Sequence, residues 1–372
     1  MTAPKVSDIL GIINKFAPFG SAEEWDNVGL QVGDPAAKAA RIMVSLDPGR
    51  DALEAAVSAG CSLLLTHHPF IFKPLKRISE ADPLGSLIAL AIRNNLAVIA
   101  LHTNLDIAPG GVNDLLAQLL GVEKTVPLKV TGVEELVKLS VFVPQGSEDQ
   151  VLEALFRFSG VMGNYRDCSF RSTGIGTFTP QEGARPHIGS IGKREAVGEN
   201  RIEVLLRKAD SAAAVAALLK VHPYEEPAYD LYPLLNRGES NGLGRIGRLR
   251  EEMTLARFAQ EVRNRLNLPG IRFVGAPDRA VRKIALCGGS GASLVRDAWK
   301  QGADVLVTGD IKYHEARDGE ALGLALIDAG HFATERPMIQ GVAARLREDL
   351  ATRKFTAEIL EFEGERDPFS HI

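Results

Sequence analysis

The sequence predicts an α/β protein: two similar α/β halves, residues 1–131 and 237–372, with a unit of another style, residues 132–236, inserted between them. Three observations carry this reading. Short apolar runs alternate with amphipathic helical stretches in the outer thirds, the pattern changes in the middle third, and the outer thirds resemble each other segment by segment. A chain of 372 residues is also too long for one ordinary core.

In the first third, residues 42–46 read as a buried strand, 51–58 as a helix and 62–66 as a second strand. A helix over 84–93 and a strand over 97–101 follow. Strand, helix, strand at short spacing argues for a parallel sheet covered by helices. The last third repeats the style with a strand at 283–287, a helix at 292–300 and strands at 305–308 and 322–327. A final helix over 339–346 has Pro337 near its start, where a missing N–H costs little. The middle third reads as strand 139–143, helix 149–158, strand 167–172, a Gly- and Pro-bearing stretch 174–192, strand 201–206, helix 211–219 and strand 228–232. The order β-α-β-β-α-β is the ferredoxin-like arrangement.

The outer thirds match in order. Arg41-Ile42-Met43-Val44-Ser45-Leu46 aligns with Arg282-Lys283-Ile284-Ala285-Leu286-Cys287, and Gly60 to Thr66 aligns with Gly302 to Thr308 at nearly equal spacing. His102 is followed four places later by Asp106, and His331 four places later by Glu335. We read this as a duplicated half-domain whose copies face each other about a pseudo-twofold axis. Ligands of parallel sheets gather beyond the carboxyl ends of the strands. Facing copies would bring His67, His68, His102 and Asp106 into one cleft with Asp310, His331 and Glu335. Imidazole and carboxylate together suit zinc, iron, manganese or related divalent ions.

Composition narrows the setting. Hydrophobic residues are 45% and charged residues 24% of the chain, as in an ordinary globular protein. A net charge of -4 argues against a dedicated nucleic-acid binder. No signal pattern opens the chain and no run approaches the ~20 apolar residues of a membrane span. Cys61, Cys168 and Cys287 read as buried thiols of a reducing, cytoplasmic compartment.

Each candidate has a plainer alternative. A lone His at a strand end is usually structural, but two adjacent imidazoles are costly to keep for packing alone, so His67-His68 is expected to bind metal. His102 is open to three roles: ligand, support for a ligand, or proton carrier, with support favoured. Asp310 orients a ligand or caps the next helix. His314 is catalytic or polar surface. His187, His222 and His371 are not expected to join the centre. Gly288-Gly289-Ser290-Gly291 either cradles a phosphate or makes a tight turn, and it is not a dinucleotide fingerprint. Trp25-Asp26-Asn27 either lines the cleft or anchors a core.

Taken together, five segments carry a resemblance to a known family. They are Glu24-Trp25-Asp26-Asn27-Val28-Gly29-Leu30, Leu65-Thr66-His67-His68-Pro69, His102-Thr103-Asn104-Leu105-Asp106, Thr308-Gly309-Asp310-Ile311-Lys312-Tyr313-His314 and Gly330-His331-Phe332-Ala333-Thr334-Glu335. Over essentially its whole length the chain resembles the Nif-three-like dinuclear metal-centre family, also known as GTP cyclohydrolase I type 2 homologues. The resemblance implies two divalent ions (Zn, Fe or Mn) held by His67, His68, Asp106, His331 and Glu335. It implies a PII/CutA-like insert, suggested by Pro223-Tyr224-Glu225-Glu226-Pro227 and the 176–192 region, and a toroidal homohexamer. The expected function is a metal-dependent hydrolase acting on a phosphate-bearing small molecule, with His102 or His314 as general acid or base. A metal-handling protein and a regulatory binding protein are the alternatives.

Overall fold

The computed structural model describes residues 2–159 and 164–370, so His371 lies outside the described residues. The chain forms two compact units, residues 1–132 with 241–372, and residues 133–240. In the first, helix α1 (Val6–Phe16) buries Val6, Ile9, Ile12 and Ile13, the spacing of one helix face. Strands β1 (Gly29–Val32) and β2 (Arg41–Ser45) precede helix α2 (Arg50–Ser58), strand β3 (Leu63–Thr66), helix α3 (Pro83–Arg93) and strand β4 (Ala97–Ala100). The short helices α4 (Thr103–Ile107) and α5 (Val112–Leu120) follow. All four residues of β3 and all four of β4 are buried. A run apolar on both faces belongs inside a parallel sheet covered on both sides.

The chain then enters the second unit along a long strand β5 (Glu123–Pro144), continues through α6 (Glu148–Leu155), β6 (Ser169–Phe178), β7 (Glu195–Arg207) and α7 (Ser211–Val221), and leaves along β8 (Tyr229–Thr254). These strands lie in the order β6-β7-β5-β8. Alternate residues Val137, Leu139, Val141 and Val143 of β5 and Ile202, Val204 and Leu206 of β7 meet Val151, Leu155, Ala214 and Leu218 of the helices in one core. Period-two burial is what a sheet covered on one face requires. β5 and β8 far outrun the expected strands at 139–143 and 228–232, and β6 extends into the Gly- and Pro-bearing stretch 174–192.

Back in the first unit come α8 (Leu255–Arg265), β9 (Arg272–Val274), β10 (Ala280–Leu286), α9 (Val295–Lys300), β11 (Val305–Thr308), α10 (Tyr313–Ala321), β12 (Ala325–Asp328), α11 (His331–Glu335), α12 (Met338–Thr352) and β13 (Glu358–Glu361). The helix expected over 292–300 starts as one 3-10 turn at Ala292–Leu294. The strand expected at 322–327 begins only at Ala325, because Leu322 closes α10 and Gly323 turns with φ 70°.

Two sheets share a topology here. β2, β3 and β4 run parallel with β1 antiparallel on the β4 edge. β10, β11 and β12 run parallel with β9 antiparallel on the β12 edge. Beyond β2 lies parallel β13, and beyond β10 lies antiparallel β8. The end of the chain thus completes the first sheet, and α12 buries Met338, Ile339, Val342 and Leu346 against α1 in the same core. The mixed α/β class with two sheets is as the sequence predicts. Among the described residues no helix is long and apolar enough to cross a membrane.

Arg245 ties the two sequence segments of this unit together. Its buried guanidinium bonds both carboxylate oxygens of Asp114 on α5, at 2.7 and 2.9 Å, and the carbonyls of Ala108, Gly242 and Gly244. Removing one member of such a pair strands the other and several carbonyls. Arg245→Met should therefore lower unfolding stability by about 3–5 kcal/mol, measured by denaturant titration. An unchanged midpoint would show that the tie carries no stability.

Candidate metal centre

The carboxyl ends of β3, β4 and β12 bring the candidate residues together. His67 and His68 leave β3 with both backbone N–H groups bonded to the Leu46 carbonyl. His102 caps α4 just after β4, and Asp106 lies one turn on. Gly330 turns with φ 78° into the five-residue α11, which carries His331 and Glu335 four places apart on one face.

Every imidazole has one nitrogen engaged from behind. His67 Nδ1 meets the Leu101 carbonyl at 2.7 Å, His68 Nδ1 meets Asp47 Oδ1 at 2.7 Å, and His331 Nδ1 meets Asp310 Oδ2 at 2.6 Å. Acceptors at Nδ1 fix the tautomer and turn each Nε2 inward as a lone pair. Those inner atoms converge. His67 Nε2 is 3.5 Å from Glu335 Oε1 and 3.7 Å from Asp106 Oδ1, and His68 and His331 Nε2 each stand 3.1 Å from Glu335 Oε2. His67 Nε2, Asp106 Oδ1 and Glu335 Oε2 are nevertheless buried without a hydrogen bond of acceptable geometry. Donor atoms of His68, His331 and Glu335 lie within 4.8 Å of one another, as do those of His67, His68 and His102. His102 is therefore within reach of a shared cation, a position that its favoured supporting role did not foresee.

The electrostatics have one pattern. Burial pushes the His67 imidazole down, but Glu335 and Asp106 outweigh it and hold it above its ordinary value. Burial also opposes His68, and Asp47 with Glu335 lifts it to about 10. Glu335 first, then Asp310, raises His331 to about 9. Burial pushes the Asp106 carboxyl up to about 6 against the pull of His67. Glu335, although buried, is held well below the carboxylate range by the surrounding imidazoles. Protons here do what a cation does: they neutralise carboxylates withdrawn from water. Buried polar atoms without partners, among nitrogen and oxygen donors, fit a divalent metal ion.

The remaining candidates divide. Asp310 holds His331 from the left-handed region at φ 57°, which a short acidic residue tolerates. Asp26 bonds His102 Nδ1 at 2.9 Å and accepts from the Thr103 N–H and hydroxyl. Burial would raise its pKa, but His102 and Thr103 keep it at about 2. Trp25 is 58% exposed, so it anchors no core, and its ring packs edge-on to His102. His314 is exposed on the first turn of α10 against Tyr313, and no hydrogen bond or ion pair among the described residues joins it to the cluster. His187 and His222 lie in the other unit.

The sequence reading passed over Asp47, although it stands two places beyond the end of β2, the strand that pairs with β3. The phosphate reading of the glycine turn is not supported. The N–H groups of Gly288, Gly289 and Gly291 are already bonded to Asn113, Thr334 and Thr308 side chains. Glycine is needed there for space: a Cβ on Gly289 would come 2.1 Å from Glu335 Oε1. Cys61 and Cys287 are buried free thiols, but Cys168 is only partly buried.

The comparisons with known proteins agree over the whole chain. The profile of the family Duf34/NIF3 (NGG1p interacting factor 3) matches residues 4–368. A relative from Halalkalibacterium halodurans named GTP cyclohydrolase 1 type 2 homolog is 43% identical over 365 residues, 98% of each chain. Its namesake from Bacillus subtilis is 42% identical over 365 residues, again 98% of each. The crystal structure of a Bacillus cereus protein related to NIF3 superposes with TM-score 0.93 at 41% identity and 100% coverage of both chains. The chain belongs to the Duf34/NIF3 family.

Proposed function

We propose that the cluster is a two-metal centre held by His67, His68, Asp106, His331 and Glu335, and that the protein is a metal-dependent hydrolase. The observation that carries this is that His67 Nε2, Asp106 Oδ1 and Glu335 Oε2 are buried and unpartnered in one cluster, with His67 Nε2 3.7 Å from Asp106 and 3.5 Å from Glu335. Glu335 has its two oxygens turned to imidazoles from different segments, so it would hold metal through either oxygen, as Asp106 could. Divalent ions there would supply Lewis-acid polarisation of the substrate and acidify water at neutral pH. Asp47, Leu101 and Asp310 keep the imidazole rings aimed, so the donors need little reorganisation. The Asp26 carboxylate, bonded to His102 Nδ1, would hold that ring in place while Nε2 gives or takes a proton. His331 and Asp310 side chains are 38% and 45% exposed, which opens the cluster to solvent on one side. An open side favours turnover over storage, the alternative reading.

The name of the two relatives makes GTP the first substrate to try, followed by other nucleotides and phosphoesters, with Zn, Fe or Mn loaded. Metal-dependent turnover on any of them supports the hydrolase; metal binding with none supports a metal-handling protein. The same reading takes the two matching sheets as duplicated halves facing each other across the centre. It takes the unit 133–240 as a ferredoxin-like insert of the PII/CutA kind, supported by its strand order β6-β7-β5-β8. We read the assembly as a homohexamer in the cytoplasm.

Three outcomes test the centre. His67→Ala and Asp106→Ala should each lose both ions by elemental analysis, since the remaining donors are left poorly compensated; full occupancy in either would remove that ligand. Next, raised folded-state pKa values make His68 and His331 stabilise the metal-free chain fully below the ordinary 6.5, and that contribution is lost as pH rises towards about 9 and 10. Thermal scans of metal-free protein should show melting falling across that window while metal affinity rises; a flat profile would contradict the charge pattern. Lastly, His102→Gln should keep both ions and lose about 10²–10⁴-fold in turnover. Loss of metal instead would make His102 a ligand, and unchanged turnover would remove it from the chemistry.

A further inference from the structure

We propose that the unit 133–240 carries a second small-molecule site, built for a flat organic ligand that presents a coplanar pair of N–H donors, as an aryl amidinium or an amino-substituted nitrogen heterocycle does. A cavity of about 400 Å³ lies there, the size of small-ligand pockets generally. Phe142, Phe178, Pro180, Pro186, Ile188 and Tyr224 give it largely apolar, flat walls. Its floor is Glu199 on β7, which pairs with Pro144 and Gly174 and so points away from the helix-covered face of Ile202 and Val204.

Glu199 is 7% exposed, and its carboxylate lies beside the Tyr224 hydroxyl and makes no ion pair among the described residues. A Cβ on Gly176 would come 1.9 Å from Glu199 Oε2, so glycine at that position gives the carboxylate its room. Burial, then the neighbouring Glu199 carboxylate, holds the Tyr224 hydroxyl above its ordinary pKa, and no hydrogen bond of full geometry joins the two. His222 is not a counter-ion: Nε2 donates to the Phe142 carbonyl, Nδ1 accepts from the Tyr224 N–H, and burial favours its neutral form. Glu225 is already bonded by the Arg185 N–H at 2.7 Å. The lining holds Glu199, Glu225 and Glu226 and no Lys or Arg, so anions are disfavoured. A buried carboxylate without a cationic partner is costly to keep for the fold alone. Two parallel N–H donors would satisfy both its oxygens, and a ring behind them would lie between the flat walls.

The site does not rest on the metal centre, and the test separates them. Benzamidine and guanosine are titrated into the full chain by ligand-detected NMR, with benzoate as the control of the same shape and opposite charge, and the series is repeated in His67→Ala. Binding of either probe at millimolar concentration or below is expected. It should be unchanged in His67→Ala, weakened about 10-fold or more in Glu199→Gln and Gly176→Ala, and absent for benzoate. The melting temperature of Glu199→Gln should match or exceed that of the parent, because a buried carboxylate without a cationic partner is replaced by a neutral amide. Failure of both probes to bind, equal affinity in the two pocket variants, binding of benzoate, or a lower melting temperature for Glu199→Gln would each overturn the proposal.

Discussion

A carboxylate withdrawn from water must be neutralised where it sits, and Glu335 imposes that demand on everything around it. It is 3% exposed and has three imidazoles as its inner neighbours. Protons on the rings balance that charge, with Asp47 and Glu335 lifting His68 and Glu335 and Asp310 lifting His331. The supporting contacts answer to the same demand. Asp47, Asp310 and the Leu101 carbonyl occupy the outer nitrogens, so each ring presents its other nitrogen to the carboxylate. Gly289 leaves the space into which Glu335 reaches.

The sheets make that convergence possible. Parallel strands end together, so the residues just past β3 and β4 fall beside one another, and α11 follows β12 in the same way. Their apolar residues, buried on both faces, hold the strand ends in register, and polar groups come only at the last strand residues and beyond. Neither sheet is assembled from one half of the sequence. β13 joins the first sheet from the far end of the chain, and Arg245 joins β8 to the start of α5. The site therefore depends on contacts made across more than two hundred residues, the kind that cost loop entropy before they give anything back.

The glycine turn at 288–291 shows how a motif changes meaning in three dimensions. As a sequence it suits a phosphate, since free N–H groups at a strand-to-helix turn attract anions. In the fold those groups are spent on Asn113, Thr334 and Thr308. The middle unit shows the reverse. Glu199 looks like an ordinary strand carboxylate in the sequence, and only pairing across β5, β7 and β6 encloses it beneath aromatic side chains.

The sequence by itself determined the local elements. Four-residue apolar runs, helical spacing and matched segments around Thr66 and Thr308 are properties of neighbouring residues, and they suffice to find β3, β4, β11 and the strand ends that bear His67, His102 and His331. The pairing of His331 with Glu335 on one helix face is likewise set by a spacing of four. Tertiary structure decided what each group touches. It gave Asp47 to His68 and Asp26 to His102, left His314 at the surface, and drew β13 into the first sheet. Periodicity reports which face a side chain occupies, but a hydrogen bond or a metal-sized gap is a distance between atoms that only the packed chain defines.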